Sequence, residues 1–240
     1  MTSLQILISN NNEIMFTPKM KLADVIISNP SLTLILQRFH IELGFGEKTV
    51  AEVCRANGIA DSFFLLICNV YTNNTYLPSM EELKNTDMTL LVPYLVASHG
   101  YYLDERIPHI EKHLDRIAEA CPKSHKDILQ RFFRDYKAEV ENHFQYEEET
   151  VFPYIESLRK GEPCSGYSIN QFEENHSNIE DKLNDLTNII IKYLPGNIMP
   201  KERVSVLFDI FQLSGDLNKH SLIEEKILIP YVETMERSQR

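Results

Sequence analysis

Residues 143–156 read HFQYEEETVFPYIE, and residues 220–233 read HSLIEEKILIPYVE. Six of the fourteen aligned positions are identical: His, Glu, Glu, Pro, Tyr and Glu. In each copy the histidine and the first glutamate are four residues apart. His143 with Glu147, and His220 with Glu224, therefore each share one face of a helix. Those faces are otherwise apolar. Leu129, Phe133, Tyr136 and Val140 lead into the first copy in steps of three and four, and Val151 and Tyr154 continue it. Val206, Ile210, Leu213 and Leu217 lead into the second, followed by Ile227 and Tyr231. This is the period of an amphipathic helix, interrupted where it should be most apolar.

Two further stripes carry one histidine each. His99 falls among Leu95, Tyr102, Ile110, Leu114 and Ile117, and His176 among Ile169, Phe172, Ile179, Leu183, Leu186 and Ile190. His99 to His143 is 44 residues, and so is His176 to His220. The second half thus repeats the first, polar interruptions included, as expected of a pseudo-twofold site. Four long helices are predicted at roughly 86–119, 124–160, 167–194 and 200–237. The breaks contain Cys121-Pro122, then Gly161-Glu162-Pro163 with Gly166, then Pro195-Gly196. Short loops between long helices predict an all-α, up-down-up-down four-helix bundle. Three or four short helices are expected between Lys19 and Tyr71, one opened by Asn29-Pro30, with Leu43-Gly44-Phe45-Gly46 breaking the next. Leu4 to Ile8 fits a short strand. The polar stretch Thr72 to Thr75, then Pro78, reads as a linker. The expected division is a small helical N-terminal domain at 1–78 and the bundle at 79–240.

Burying four imidazoles and two carboxylates without partners would cost several kcal/mol apiece. Something must bind them. Two equivalent halves, each with two histidines and one glutamate, suit two metal ions, and a carboxylate can bridge two cations. Imidazole and carboxylate without thiolate suit iron or manganese better than a structural zinc site. The predicted ligands are His99, His143, Glu147, His176, His220 and Glu224, and they leave positions for an oxo or hydroxo bridge and a small ligand.

The rest of the composition removes function classes. Thirty-five acidic against 24 basic residues give a net charge of −11, which speaks against a nucleic-acid partner. No apolar run approaches the roughly twenty residues of a membrane span, so no membrane partner is expected. No basic stretch followed by an apolar one marks a signal peptide. Four scattered cysteines form no CxxC pair. A soluble, reduced, cytoplasmic protein is expected.

At the six ligand positions the sequence resembles the hemerythrin-like (HHE) family. Its final pair, His220-x3-Glu224, and the single His176 with Glu180 one turn later differ from the five-histidine oxygen carriers. The four-histidine, two-glutamate set, with His99-GYYLDERIP, is similar to the repair-of-iron-centres subgroup. KLADVI…NPSLTLILQRFHIELGFGEKTVAEVC resembles that subgroup's N-terminal domain. Where the subgroup has Cys-Cys-Gly-Gly, this chain has Gly44-Phe45-Gly46-Glu47, so its thiol chemistry is not carried over. The resemblance implies two iron ions and a non-haem protein reacting with nitric oxide or reactive oxygen species. It would protect or repair iron–sulfur centres under nitrosative and oxidative stress, with an iron–sulfur protein as target and a partner as electron donor. The alternative is a module that reversibly binds oxygen or nitric oxide, and a third reading is a bundle using another metal, such as zinc, for stability. Enzymatic turnover and stoichiometric iron donation both stay open, and a homodimer is an allowed assembly.

Other polar residues receive plainer expectations. His109, His113 and His125 are expected at the surface and His40 in a structural role. Glu148 and Glu225 point about 100° away from the ligands and are read as outer-shell or surface groups, with the surface favoured. Glu180 is read as an extra ligand, an outer acceptor or a solvated flank. Tyr102 is the candidate donor to a bound ligand, Tyr154 and Tyr231 are core residues, and Pro153 and Pro230 are expected to kink or end their helices. Cys121 and Cys164 lie at opposite ends of the predicted bundle, too far apart for a disulfide.

Overall fold

The computed structural model describes residues 7–8, 14–162, 166–175, 179 and 181–239. The chain divides into two compact units, residues 1–94 with 222–234, and residues 95–221 with 235–240. Among the described residues nearly all regular structure is helical. The exception is a pair of two-residue strands, β1 (Leu7–Ile8) and β2 (Ile14–Met15), paired antiparallel.

The first unit contains α1 (Leu22–Ser28), α2 (Thr33–Arg38), α3 (Val50–Ala56), α4 (Asp61–Thr72) and α5 (Met80–Asn85). Asn29 caps the 3-10 turn Pro30–Leu32 that leads into α2, its side chain accepting from the Ser31 amide at 3.2 Å. α2 ends at Arg38, earlier than the glycines predict, because His40 turns left-handed at φ 53°. Gly44 and Gly46, at φ 99° and 61°, shape the loop that follows. Thr49 and Glu52 close a capping box at the start of α3. α4 is buried on every side from Phe63 to Tyr71 and supplies the centre of this unit's core. Phe39 packs its ring against Phe63, Phe64 and Tyr94 at 5.2–5.8 Å. The polar 72–75 segment is not loose here: Lys226 donates to the carbonyls of Asn74 and Tyr76. Cys54 and Cys68 are buried; burial first, then nearby Asp61, pushes the Cys54 thiol up to about 12. Cys164 lies outside the described residues.

The bundle's first helix is α6 (Leu91–Gly100), a π-turn at Tyr101–Arg106, and α7 (Ile107–Glu119). Its second is α8 (Lys123–Tyr146), a π-turn at Glu147–Val151, and α9 (Phe152–Arg159). Of the third, the described segments are α10 (Ile169–Asn175), then α11 (Asp181–Asn188) with a π-turn at Ile189–Tyr193. The fourth is α12 (Pro200–Ile223), a π-turn at Glu224–Leu228, and α13 (Ile229–Gln239). This is the all-α bundle that the periodicity predicts. Ile110, Leu114, Leu129, Phe133, Val140, Leu183, Leu186, Ile210, Leu213 and Leu217 are buried in one core cluster, as the stripes require.

Pro153 and Pro230 do not end their helices, which continue to Arg159 and Gln239. Each sits second in the α-segment that follows a π-turn, as does Pro108 in the first helix. A proline inside an α-helix lacks an N–H and clashes with the carbonyl four residues earlier. The wider π-turn takes up that defect and lets the helix continue. Two of these turns begin at ligand-type residues, Glu147 and Glu224, and a third begins two residues after His99.

Candidate metal centre

α6 presents His99, α8 presents His143, and the π-turn after α8 opens on Glu147. The Glu147 side chain is 0% exposed, and each of its oxygens faces an imidazole. Oε2 is 3.0 Å from His99 Nε2, and Oε1 is 2.9 Å from His143 Nε2. Neither oxygen accepts a hydrogen bond of acceptable geometry. A buried carboxylate between two nitrogens, left without a hydrogen bond, is costly by itself and fits a cation held between them. From α12, His220 brings its Nε2 to 3.3 Å from His99 Nε2. The next turn of that helix carries Glu224, buried as completely as Glu147 and the fourth ligand-type residue of the group.

Among the described residues, the structure thus brings together His99, Glu147, His220 and Glu224, with His143 reaching the other oxygen of Glu147. His176 and Glu180 lie outside the described residues. The donor set is imidazole nitrogen and carboxylate oxygen, which fits the iron or manganese class inferred from the sequence.

Rings and carboxylates hold the histidines in place. His99 stacks on Phe144 with ring centroids 4.0 Å apart and planes 10° from parallel, and Phe152 lies 5.6 Å away at 18°. Glu148 is exposed, as expected, and also stands behind a ligand-type residue: its Oε1 accepts from His99 Nδ1 at 2.8 Å. That bond keeps the ring proton on Nδ1 and leaves Nε2 as a lone-pair donor. The signal was available: a second glutamate follows the first in both copies of the repeat, although Glu225 is exposed. Tyr102 is engaged within the protein. Its hydroxyl donates to the Asp216 carbonyl at 3.2 Å, one turn before His220, while its ring meets His220 edge-on. It therefore braces the helix that carries His220. Tyr154 is hydrogen-bonded as expected, to Glu236 at 2.6 Å; the same carboxylate oxygen caps the Ile169 amide.

Glu148→Ala is expected to weaken metal retention about 10–100-fold, and Glu148→Gln to recover most of it, because the amide oxygen still accepts from Nδ1. Competition with a coloured chelator measures both variants.

A model of the hemerythrin HHE cation binding domain matches residues 92–232. The chain belongs to the hemerythrin HHE family. The match spans all four helices of the bundle and every residue of the group. Over 151 residues, this hemerythrin HHE chain is also 20% identical to the iron-sulfur cluster repair protein ScdA of Staphylococcus haemolyticus (strain JCSC1435). The aligned part makes up 61% of this chain and 68% of that protein. No helix among the described residues is long and apolar enough to cross a membrane.

Proposed function

We propose that His99, His143, Glu147, His176, His220 and Glu224 hold two iron ions, and that this non-haem centre reacts with nitric oxide or reactive oxygen to protect or repair iron–sulfur centres. The observation that carries the reading is Glu147, whose two oxygens face imidazoles from two different helices at 3.0 and 2.9 Å. His176 enters through the 44-residue repeat that matches it to His99. The likeness to an iron–sulfur cluster repair protein supports the choice of iron and of target.

Bound iron would supply one-electron redox chemistry and a coordination position for a diatomic ligand. The chain's own residues supply the setting. Glu148 holds the proton on His99 Nδ1, so this imidazole meets the cation as a neutral donor. Phe144 and Phe152 prevent its ring from turning. Tyr102, Val140, Val151 and Leu217 are buried and keep bulk water out. A small uncharged gas loses little hydration on entering such surroundings, whereas a charged oxidant loses much. No flavin or nicotinamide motif is present in the sequence, so electrons come from a partner.

Two measurements on the full chain test this. Protein purified without added metal should hold about two irons per chain with oxo-bridged charge-transfer bands, lost in His143→Ala and Glu224→Ala. Added to an iron–sulfur enzyme damaged by nitric oxide, it should restore activity, and both variants should fail. Restoration in proportion to bound iron identifies a donor, and restoration at a catalytic rate with a reductant identifies an enzyme. Zinc in place of iron, or no restoration by the iron-loaded protein, would sink the proposal.

A further inference from the structure

α7 carries another pair of histidines one helical turn apart, His109 and His113, outside the repeat. Both face α12, which brings Asp209 and Glu202 toward them. One ligand-type atom each from His109, His113 and Asp209 lies within 4.8 Å of the other two. We propose that these three residues form a second, peripheral site for a divalent cation that prefers imidazole, with zinc as the first choice.

The distances fit such an ion better than they fit a direct contact. A tetrahedral zinc ion with bonds of about 2.0–2.1 Å sets its ligand atoms roughly 3.3–3.4 Å apart. His109 Nε2 and Asp209 Oδ2 are 3.4 Å apart, at the edge length of that tetrahedron and beyond a good hydrogen bond. Histidines at i and i+4 project from one helix face, the spacing with which a single helix chelates zinc. The backbone therefore fixes two ligands before any ion arrives. Their rings already lie 4.6 Å apart between centroids.

The outer shell is also in place. Glu202 Oε1 lies 2.8 Å from His113 Nδ1, which favours the proton there and leaves Nε2 for a cation. Asp209 Oδ1 pairs with Arg106 at 3.0 Å, which holds the carboxylate with Oδ2 toward His109. Arg116 is the competitor. Its Nη2 is 2.7 Å from Glu202 and 3.0 and 3.4 Å from the two nitrogens of His113. Two arginines already balance the two carboxylates, so the imidazoles must supply most of the binding, and micromolar affinity is expected. Arg116 is half-exposed and can swing out to solvent when the ion enters.

Three protein ligands leave a fourth position for water, and His109 is 46% exposed, so the site is open to solvent. It stands about 15 Å along the helix from His99, ten residues on at 1.5 Å each. An ion there would tie α7 to α12, the bundle helices continuous with those that carry His99 and His220. The site shares no residue with the His99, Glu147, His220 and Glu224 group.

Equilibrium dialysis of the iron-loaded full chain against Zn²⁺, with zinc and iron counted together, tests the site. Wild type should gain about one zinc per chain with iron unchanged. His109→Ala and His113→Ala should take up none at the same free zinc and keep their iron. Asp209→Asn should bind more than about tenfold more weakly, and Arg116→Ala about tenfold more tightly, because removing one facing positive charge is worth about one decade. Zinc should raise the thermal midpoint of wild type and not of His109→Ala. No zinc uptake at about 100 µM, uptake only by displacement of iron, or equal uptake by the histidine variants would overturn the proposal.

Discussion

Glu147→Gln is expected to lose both irons, falling from about two per chain to a small fraction of one, while the fold stays intact. The substitution keeps the shape of the side chain and removes its charge. The two oxygens of Glu147 meet imidazoles from different helices, His99 at 3.0 Å and His143 at 2.9 Å. An amide in that place presents one oxygen and one N–H₂, so in the proposed centre it would offer a donor hydrogen where the carboxylate offers a lone pair. In this buried setting the lost negative charge would not be replaced by water. A drop of more than 100-fold in affinity corresponds to more than about 2.7 kcal/mol, in line with the roughly 3–5 kcal/mol for breaking a buried charge pair. Without metal the same variant should unfold no earlier than wild type, because it no longer buries a charge. Iron analysis and a thermal melt on the same samples check both halves. Full iron content in Glu147→Gln would remove Glu147 from the ligand set.

Removing the metal should destabilise the protein by an amount visible without special methods. Each ion at about a thousand times its dissociation constant adds about 4 kcal/mol to the folded state, so two ions add about 8 kcal/mol. For a chain of this size each kcal/mol moves the thermal midpoint by about 2–4 °C, which gives a loss of roughly 15–30 °C on chelation. The cause is local. His99, Glu147, His220 and Glu224 are all buried, and their helices bring like groups together where an apolar core would be. His99 Nε2 and His220 Nε2 lie 3.3 Å apart, close enough for one bound ion to take both as ligands. Calorimetry before and after anaerobic chelation measures the difference, and iron re-addition should restore the midpoint. An unchanged midpoint after complete iron loss would mean that the bundle core carries the stability without the centre.

Most of the bundle was legible because its signals are local. The stripe Leu129, Phe133, Tyr136, Val140 names buried residues by period alone, and the stripes of the other three helices behave the same way. The histidine and glutamate positions stood out because they interrupt those stripes, and the repeat showed that the interruptions belong together. The contact of Glu148 with His99 was not legible, for a physical reason. On a helical wheel Glu148 points about 100° from Glu147, toward solvent or toward a neighbouring helix, and the wheel does not distinguish the two. Its partner His99 is 49 residues away. The Tyr102 contact is out of reach of local pattern in the same way, since the Asp216 carbonyl that takes its hydrogen is 114 residues away. The prolines were read from the α-helix rule, and the π-turns that absorb them follow from backbone hydrogen bonding across six residues, which hydrophobic period does not report.

By itself, then, the sequence determined that four helices form, which faces they bury, and which histidines and glutamates lie on those faces, since each depends on contacts within a few residues of chain. Only the tertiary structure decided which nitrogen faces which oxygen, which carboxylate stands behind His99, and that His109, His113 and Asp209 meet at all. Those depend on how two helices are rotated against each other. A rotation of a few tens of degrees leaves the apolar stripes buried yet moves a side-chain tip by several ångströms, more than a hydrogen bond or a metal ligand tolerates.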